Sequence, residues 1–423
     1  MERNYKISIA HTCPQCGAPV SLDEAQRVFQ CEYCRVRLYI ANKSYFQYYL
    51  PPVKSSTSTE LLFVPYWRFK GMLFHFRTDK TTGRIIDSST LALDTSYFPI
   101  SLGVRTQTVP LRYLNSEIIK NRFLNHREFS ELFKHMTMPS KRAEHLSLRG
   151  YVSEHDPQAL YKVFIGERKS LVYLPLYVKD GMFYDSVADE PLFRMPEDME
   201  WPEKKRPEDW EPGFIPTLCP ACGWDMEAEP ESLTLLCRNC TSVWQAAGER
   251  LKKLQYKVLY SEKTGNLLYL PFWHIEADLE GVSLKTYGDL VRFANLPRVV
   301  KKRWEEIPCG FWVPAFKVHP DHFLKIALTA TVNQGIKEGK WIESAPVYPV
   351  TLPSAEAVEC VKLMVMELAK PRRRMYDLTD KIHVHNPVVT LVFVPFYDRT
   401  IELLQPDLHI SINKKILHYG KNL

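Results

Sequence analysis

Glycine is scarce in this chain, with 17 residues in 423 against 30 prolines. Loops that cradle phosphates use glycine because the backbone must approach the ligand closely, so a nucleotide-dependent enzyme is not expected. Long apolar runs are also missing. Stretches such as LKIALTATV at 325–333 fall well short of the ~20 residues a membrane helix needs. The opening MERNYKISIAHTCPQCG lacks the basic end and apolar centre of a secretory leader, and no secretion is expected. Neither sign of charge dominates: 55 basic residues face 49 acidic ones, for a net charge of +6. A nucleic-acid binder usually carries clustered Lys and Arg on one face. Phosphate-loop, Gly-x-Ser-x-Gly and His-Glu-x-x-His motifs are all absent. Nothing identifies a catalytic centre.

What is present is an ordinary globular composition, 45% hydrophobic and 12% aromatic, and an internal repeat. Cys13, Cys16, Cys31 and Cys34 recur as Cys219, Cys222, Cys237 and Cys240, each displaced by 206 positions. LLFVPYWRF at 61–69 matches LLYLPFWHI at 267–275 at the same displacement. SLVYLPLY at 170–177 matches TLVFVPFY at 390–397, displaced by 220, so the second half carries a net insertion of 14 residues. Repeats at a fixed offset mean repeated structure. The chain divides into a first ribbon (1–42), a first body (43–193), a Pro-rich charged linker (194–216), a second ribbon (217–247) and a second body (248–423).

The "apolar, Pro, aromatic" segments are rich in Val, Leu, Tyr, Phe and Trp, which predicts strands. Proline cannot donate to a ladder, so these strands are expected at sheet edges or with a bulge at the proline. Helices are predicted over 116–136, over 354–370 between Pro353 and Pro371, and from 156 onward. The fold class is therefore α+β, each half a small ribbon plus a mainly antiparallel body with a few helices.

Each half places two cysteines around two residues, then 14 residues, then a second such pair. Two tight knuckles facing each other supply the four converging sulfurs of a tetrahedral metal with bonds of about 2.3 Å. Gly17 and Gly223 follow the first knuckles, where a positive φ turns amides toward the sulfurs. These segments, with CPQCG and CPACG as first knuckles and CEYC and CRNC as second, resemble zinc ribbons. Rubredoxin-type iron sites are the alternative, but they carry a longer interval and a glycine where this chain has Arg35 and Thr241. The resemblance implies two structural zinc ions, because four cysteines leave no open position for a substrate. The bodies loosely resemble uncharacterised bacterial proteins in which a Pro-aromatic strand motif follows a zinc ribbon. Four thiol pairs with metal-ligand spacing also predict a reducing compartment, the cytoplasm.

Zinc ribbons often touch nucleic acid, yet these are acidic: Asp23, Glu24 and Glu32 face Arg27, and Asp225, Glu227, Glu229 and Glu231 face Arg238. The candidates for phosphate contact are Arg35, Arg37, Lys301, Lys302, Arg303, Arg372, Arg373 and Arg374. Trp67 and Trp273 in the strands, and Trp201 and Trp210 in the linker, are candidate anchors for a protein partner. His319, His322, His383 and His385 are candidates for a third metal site, although the first half has no equivalent. His274 aligns with Arg68, which predicts an exposed strand position. Cys309 and Cys360 read as small buried hydrophobes. The expected function is a non-enzymatic adaptor or scaffold that docks another protein. A nucleic-acid-binding factor is the alternative, and a metal-dependent enzyme using the histidines comes third.

Overall fold

The computed structural model of the chain describes residues 7–42, 44–52, 60–129, 159–196, 207, 211–261, 266–334, 338–339 and 345–420. The first ribbon holds two antiparallel hairpins, β1 (Ser8–Thr12) with β2 (Pro19–Asp23) and β3 (Val28–Gln30) with β4 (Arg37–Ala41). The first body is one sheet of β5 (Phe46–Tyr49), β6 (Leu62–Phe76), β7 (Thr81–Leu91), β8 (Arg112–Tyr113), β9 (Arg122–Phe123), β10 (Tyr161–Lys179), β11 (Met182–Asp185) and β12 (Glu190–Arg194). Next come β13 (Gly213–Pro216) and the second ribbon, with β14 (Thr234–Cys237), β15 (Ser242–Ala247) and β16 (Arg250–Leu254). The second body contains β17 (Tyr256–Val258), β18 (Leu267–Glu280), β19 (Gly310–Pro314), β20 (His383–Asp398), β21 (Glu402–Gln405) and β22 (Ile410–Asn413). Its main helices are α1 (Tyr287–Phe293), α2 (Pro320–Val332) and α3 (Ser354–Leu368).

The repeat persists in the hydrogen-bond ladder. β6 runs antiparallel to β10 with Trp67 opposite Leu171 and Pro65 opposite Tyr173; β18 runs antiparallel to β20 with Trp273 opposite Leu391 and Pro271 opposite Phe393. Those pairs are equivalent under the displacements of 206 and 220. A parallel neighbour, β5 or β17, lies against the other side of β10 or β20, and β11–β12 or β21–β22 continues each sheet.

The four motif strands are central, which corrects the edge or bulge expected from their prolines. Each proline sits where one flank of its strand changes partner. On β6, β9 pairs up to Phe63 and β7 begins at Tyr66, leaving Pro65 between them. On β10, β5 ends opposite Tyr173 and β11 begins opposite Leu176, with Pro175 between. Pro395 on β20 lies likewise between the partners of Phe393 and Tyr397. A residue without an N–H costs least where no ladder bond is required. The register shifts fall elsewhere, between Ile165 and Arg168 and between Glu276 and Asp278.

α3 forms as predicted, with Pro353 before it and Ala357, Val361, Met364 and Leu368 on its buried side. Of the helix expected over 116–136, residues 130–136 lie outside the described residues, Phe129 is helical, and the described part before it is not an α-helix. Asn115 Oδ1 accepts from the amides of Glu117 and Ile118, a short turn follows over Ile118–Lys120, and Phe123 then pairs beside Phe63. Most of the helix expected from 156 lies outside the described residues, and Tyr161 already begins β10.

The halves share a core. Met72, Phe74, Phe76, Val163 and Ile165 of the first body belong to the cluster built mainly from the second. Two polar ties lock this contact. Glu356 at the start of α3 accepts from Gly166 N at 3.0 Å and from Lys169 Nζ at 3.0 Å. Arg372 donates to Glu367 at 2.8 and 3.2 Å, to Arg77 O at 2.7 Å and to Thr81 Oγ1 at 3.0 Å.

Candidate metal centres

Both four-cysteine sets converge. In the first, Cys13 and Cys34 Sγ lie 3.8 Å apart and Cys16 and Cys31 Sγ 3.7 Å apart; in the second, Cys219–Cys240 and Cys222–Cys237 are 3.6 and 3.5 Å apart. A tetrahedron of thiolates with metal–sulfur bonds of about 2.3 Å has edges of about 3.8 Å. All four sulfurs of each set lie within 4.8 Å of one another. No disulfide joins them.

Local sequence builds this geometry. The first knuckle closes when Gly17 N donates to Cys13 O at 2.8 Å, and Gly223 N does the same to Cys219 O at 2.8 Å. Both glycines are left-handed, with φ of 74° and 73°. The second knuckles use the same conformation without glycine, at Arg35 (φ 62°) and Thr241 (φ 49°). The missing glycines therefore do not reflect a different turn.

The electrostatics call for a cation. Backbone amides of Cys34 and Tyr33 hold the Cys31 thiol below its ordinary value, against burial. Burial and the sulfurs of Cys222 and Cys240 push Cys237 up, outweighing an amide contact from Cys240. Four thiolates this close need a positive centre between them. The donor set fits a metal ion.

The sites differ in their surroundings. Ser242 Oγ lies 2.9 Å from Cys240 Sγ and 3.6 Å from Cys219 Sγ, and Trp244 Nε1 donates to it at 2.8 Å. An indole N–H only donates, so the serine oxygen accepts it and keeps its own proton to donate to a Cys240 thiolate when a metal is bound. The equivalent residues in ribbon 1 are Val36 and Leu38. No single-residue motif marks this difference; it emerges only by aligning the two ribbons.

The other candidates fall in diverse places. Trp67 and Trp273 are each 1% exposed, with Nε1 bonded to Arg127 O at 2.7 Å and Leu352 O at 2.8 Å. They are matched core residues, which corrects their reading as partner anchors. Trp201 and Trp210 lie outside the described residues. Arg37 is spent internally on Met226 O and Ala228 O, and Arg372 on the tie between the bodies. Arg35, Lys301, Lys302, Arg303, Arg373 and Arg374 are exposed, although Lys301 lies over Trp304 and Arg374 over Phe293.

His319 and His322 are exposed neighbours with ring centres 6.3 Å apart, and so are His383 and His385. Among the described residues, only the two cysteine sets group three or more such ligands. The proposed third metal site therefore does not assemble there. His274 packs against Trp312 with ring centres 4.9 Å apart and the planes tilted by 57°, and Arg68 is buried against Glu24 and Asp87. The exposure expected of that strand position fails because the strand is central. Cys309 and Cys360 are buried, and burial pushes both thiols up to about 12.

No helix among the described residues is long and apolar enough to cross a membrane. Comparisons find no matching family model, no matching curated protein and no matching solved structure for this chain.

Proposed function

We propose that the chain is a non-enzymatic adaptor or scaffold of the cytoplasm, in which two structural zinc ions stiffen paired ribbons that dock a protein partner. The observation that carries this reading is the closure of both sites: among the described residues, each gathers four cysteine sulfurs and no further His, Asp or Glu ligand. Such a site has no open position for a substrate. Zinc is favoured over iron because the short interval between knuckles belongs to zinc ribbons.

The ribbons also supply a surface. Leu218 is 52% and Trp224 61% exposed on either side of the first knuckle of ribbon 2, and Tyr33 is 67% exposed in the second knuckle of ribbon 1. Large apolar groups held outward on metal-stiffened turns suit an interface, where aromatic anchors carry much of the binding energy. Nucleic acid is the less favoured partner, since Arg37 and Arg372 are already engaged and the ribbons are acidic.

The test is isolation of the full chain from its own host with nuclease treatment. A stoichiometric protein that stays bound, and is lost with Leu218→Ala and Trp224→Ala, supports the adaptor. A monomer that turns over a substrate removes it; nucleic acid released by nuclease selects the alternative.

A further inference from the structure

The two ribbons complete their sheets differently. In ribbon 2 the outer edge of β15 is covered by β16, the next strand in the chain. In ribbon 1 the outer edge of β4 is covered by β13, from far along the chain, with Gly213 opposite Ala41 and Pro216 opposite Leu38. β13 ends shortly before Cys219, at the position that β1 holds in the first repeat. β1 pairs with β2 along five residues, whereas the matching hairpin of ribbon 2 is reduced to the isolated bridge Leu218–Asp225. The strand that would close ribbon 2's first hairpin closes the sheet of ribbon 1.

Further bonds run to the same stretch. The Arg37 guanidinium donates to Met226 O at 3.1 Å and to Ala228 O. The amides of Arg27 and Val28 donate to Pro230 O at 2.6 and 2.9 Å. Val28 and Tyr39 share a buried cluster with Cys219, Met226, Cys237 and Trp244. Ribbon 1 thus leans on segment 213–230, which ribbon 2 holds through the knuckle of Cys219 and Cys222, the bond from Met226 N to Thr217 O at 2.9 Å and the pair of bonds that Glu227 exchanges with Leu236 at 2.8 and 2.9 Å. Each ribbon also touches its own body: in ribbon 2 Leu233 N donates to Val350 O at 2.8 Å and Arg238 Nη1 to Ala345 O at 3.1 Å, and in ribbon 1 Ala10 N donates to Leu111 O at 2.9 Å, Leu111 N to Ser8 O at 2.8 Å, and Arg68 pairs with Glu24. The asymmetry lies in the sheet edge, which ribbon 2 completes from its own strands and ribbon 1 borrows through β13.

We propose that the two metal centres form one hierarchical unit: ribbon 1 holds its metal stably only while ribbon 2 holds its own, and the reverse dependence is weak. This rests on the metal reading of both cysteine sets. Because metal binding and folding of such ribbons are one event, loss of the second metal frees segment 213–230. β4 then loses its edge strand and Arg37 its acceptors.

The experiment is native mass spectrometry of the full chain during a timed chelator challenge. Cys222→Ser is expected to lose both metals, or to release the remaining one at least about tenfold faster than wild type. Cys16→Ser should keep one metal with nearly unchanged release. Arg37→Gln, which touches no ligand, should bind two metals and release one of them about tenfold faster. Should Cys222→Ser fail to fold, Arg37→Gln decides alone. One metal retained at the wild-type rate in Cys222→Ser, or an Arg37→Gln variant indistinguishable from wild type, overturns the hierarchy. A wild-type chain that binds no metal removes the metal reading beneath it.

Discussion

Replacing Ser242 by valine installs the residue that ribbon 1 carries as Val36, and removes the hydroxyl 2.9 Å from Cys240 Sγ. Outer-shell hydrogen bonds to metal ligands change affinity by about 10- to 100-fold, equivalent to about 1.4–2.8 kcal/mol. A second cost follows at Trp244, whose buried Nε1–H loses the acceptor it meets at 2.8 Å. An orphaned buried donor costs about 1–3 kcal/mol, and it weakens metal binding too, since the ribbon folds around its ion. The double variant Ser242→Val/Trp244→Leu recreates Val36 and Leu38 and removes the orphan. Its loss should therefore be smaller than the sum of the two single losses by about 1–3 kcal/mol. Competition with a chromophoric chelator reads the affinity of both sites, and the wild-type chain serves as the control. Wild-type affinity at both sites in Ser242→Val, or strict additivity in the double variant, would refute the reasoning.

Three other outcomes are expected. Arg372→Ala should lower stability by about 3 kcal/mol in thermal or denaturant unfolding, because Glu367 is left partly buried without its cation, while alanine at exposed Arg373 or Arg374 should stay within about 0.5 kcal/mol. In the native protein at pH 8, Cys309 and Cys360 should resist iodoacetamide, as thiols raised to about 12 are thiolate in only about one part in ten thousand; peptide mass spectrometry reads this directly. Trp67→Phe and Trp273→Phe should cost similar amounts, about 1–2 kcal/mol each, since both lose an indole bond to a buried carbonyl. Unequal costs would show that the repeated cores no longer play the same part.

The cysteine sets were legible in the sequence because their chemistry depends on short-range spacing. The repeat was legible because its offset carried from cysteines into strands. Sheet position was not: a proline announces a missing donor but not that β9 hands over to β7 beside Pro65. Two helices went unread although local signals were present. α1 has the Thr286–Asp289 capping box, and α2 starts at Pro320 with Asp321 in its first turn. The start of the 116–136 segment misled because Phe123 packs on Phe63 beside a short strand pairing rather than on a helical face, whereas Phe129, packed on Phe69 and Phe164, is helical. Charges were the hardest to place. Arg37, Arg68 and Arg372 read as solvated, yet their partners lie at 226 and 228, at 24 and 87, and at 77, 81 and 367. Such pairings are invisible until the chain has folded.

The most direct measurement is native mass spectrometry of the full chain purified under metal-retaining conditions, with elemental analysis of the same sample. The account predicts two zinc ions per chain, both lost when all four cysteines of each ribbon are replaced by serine. Fewer than two metal ions per wild-type chain, or iron in place of zinc, would contradict it.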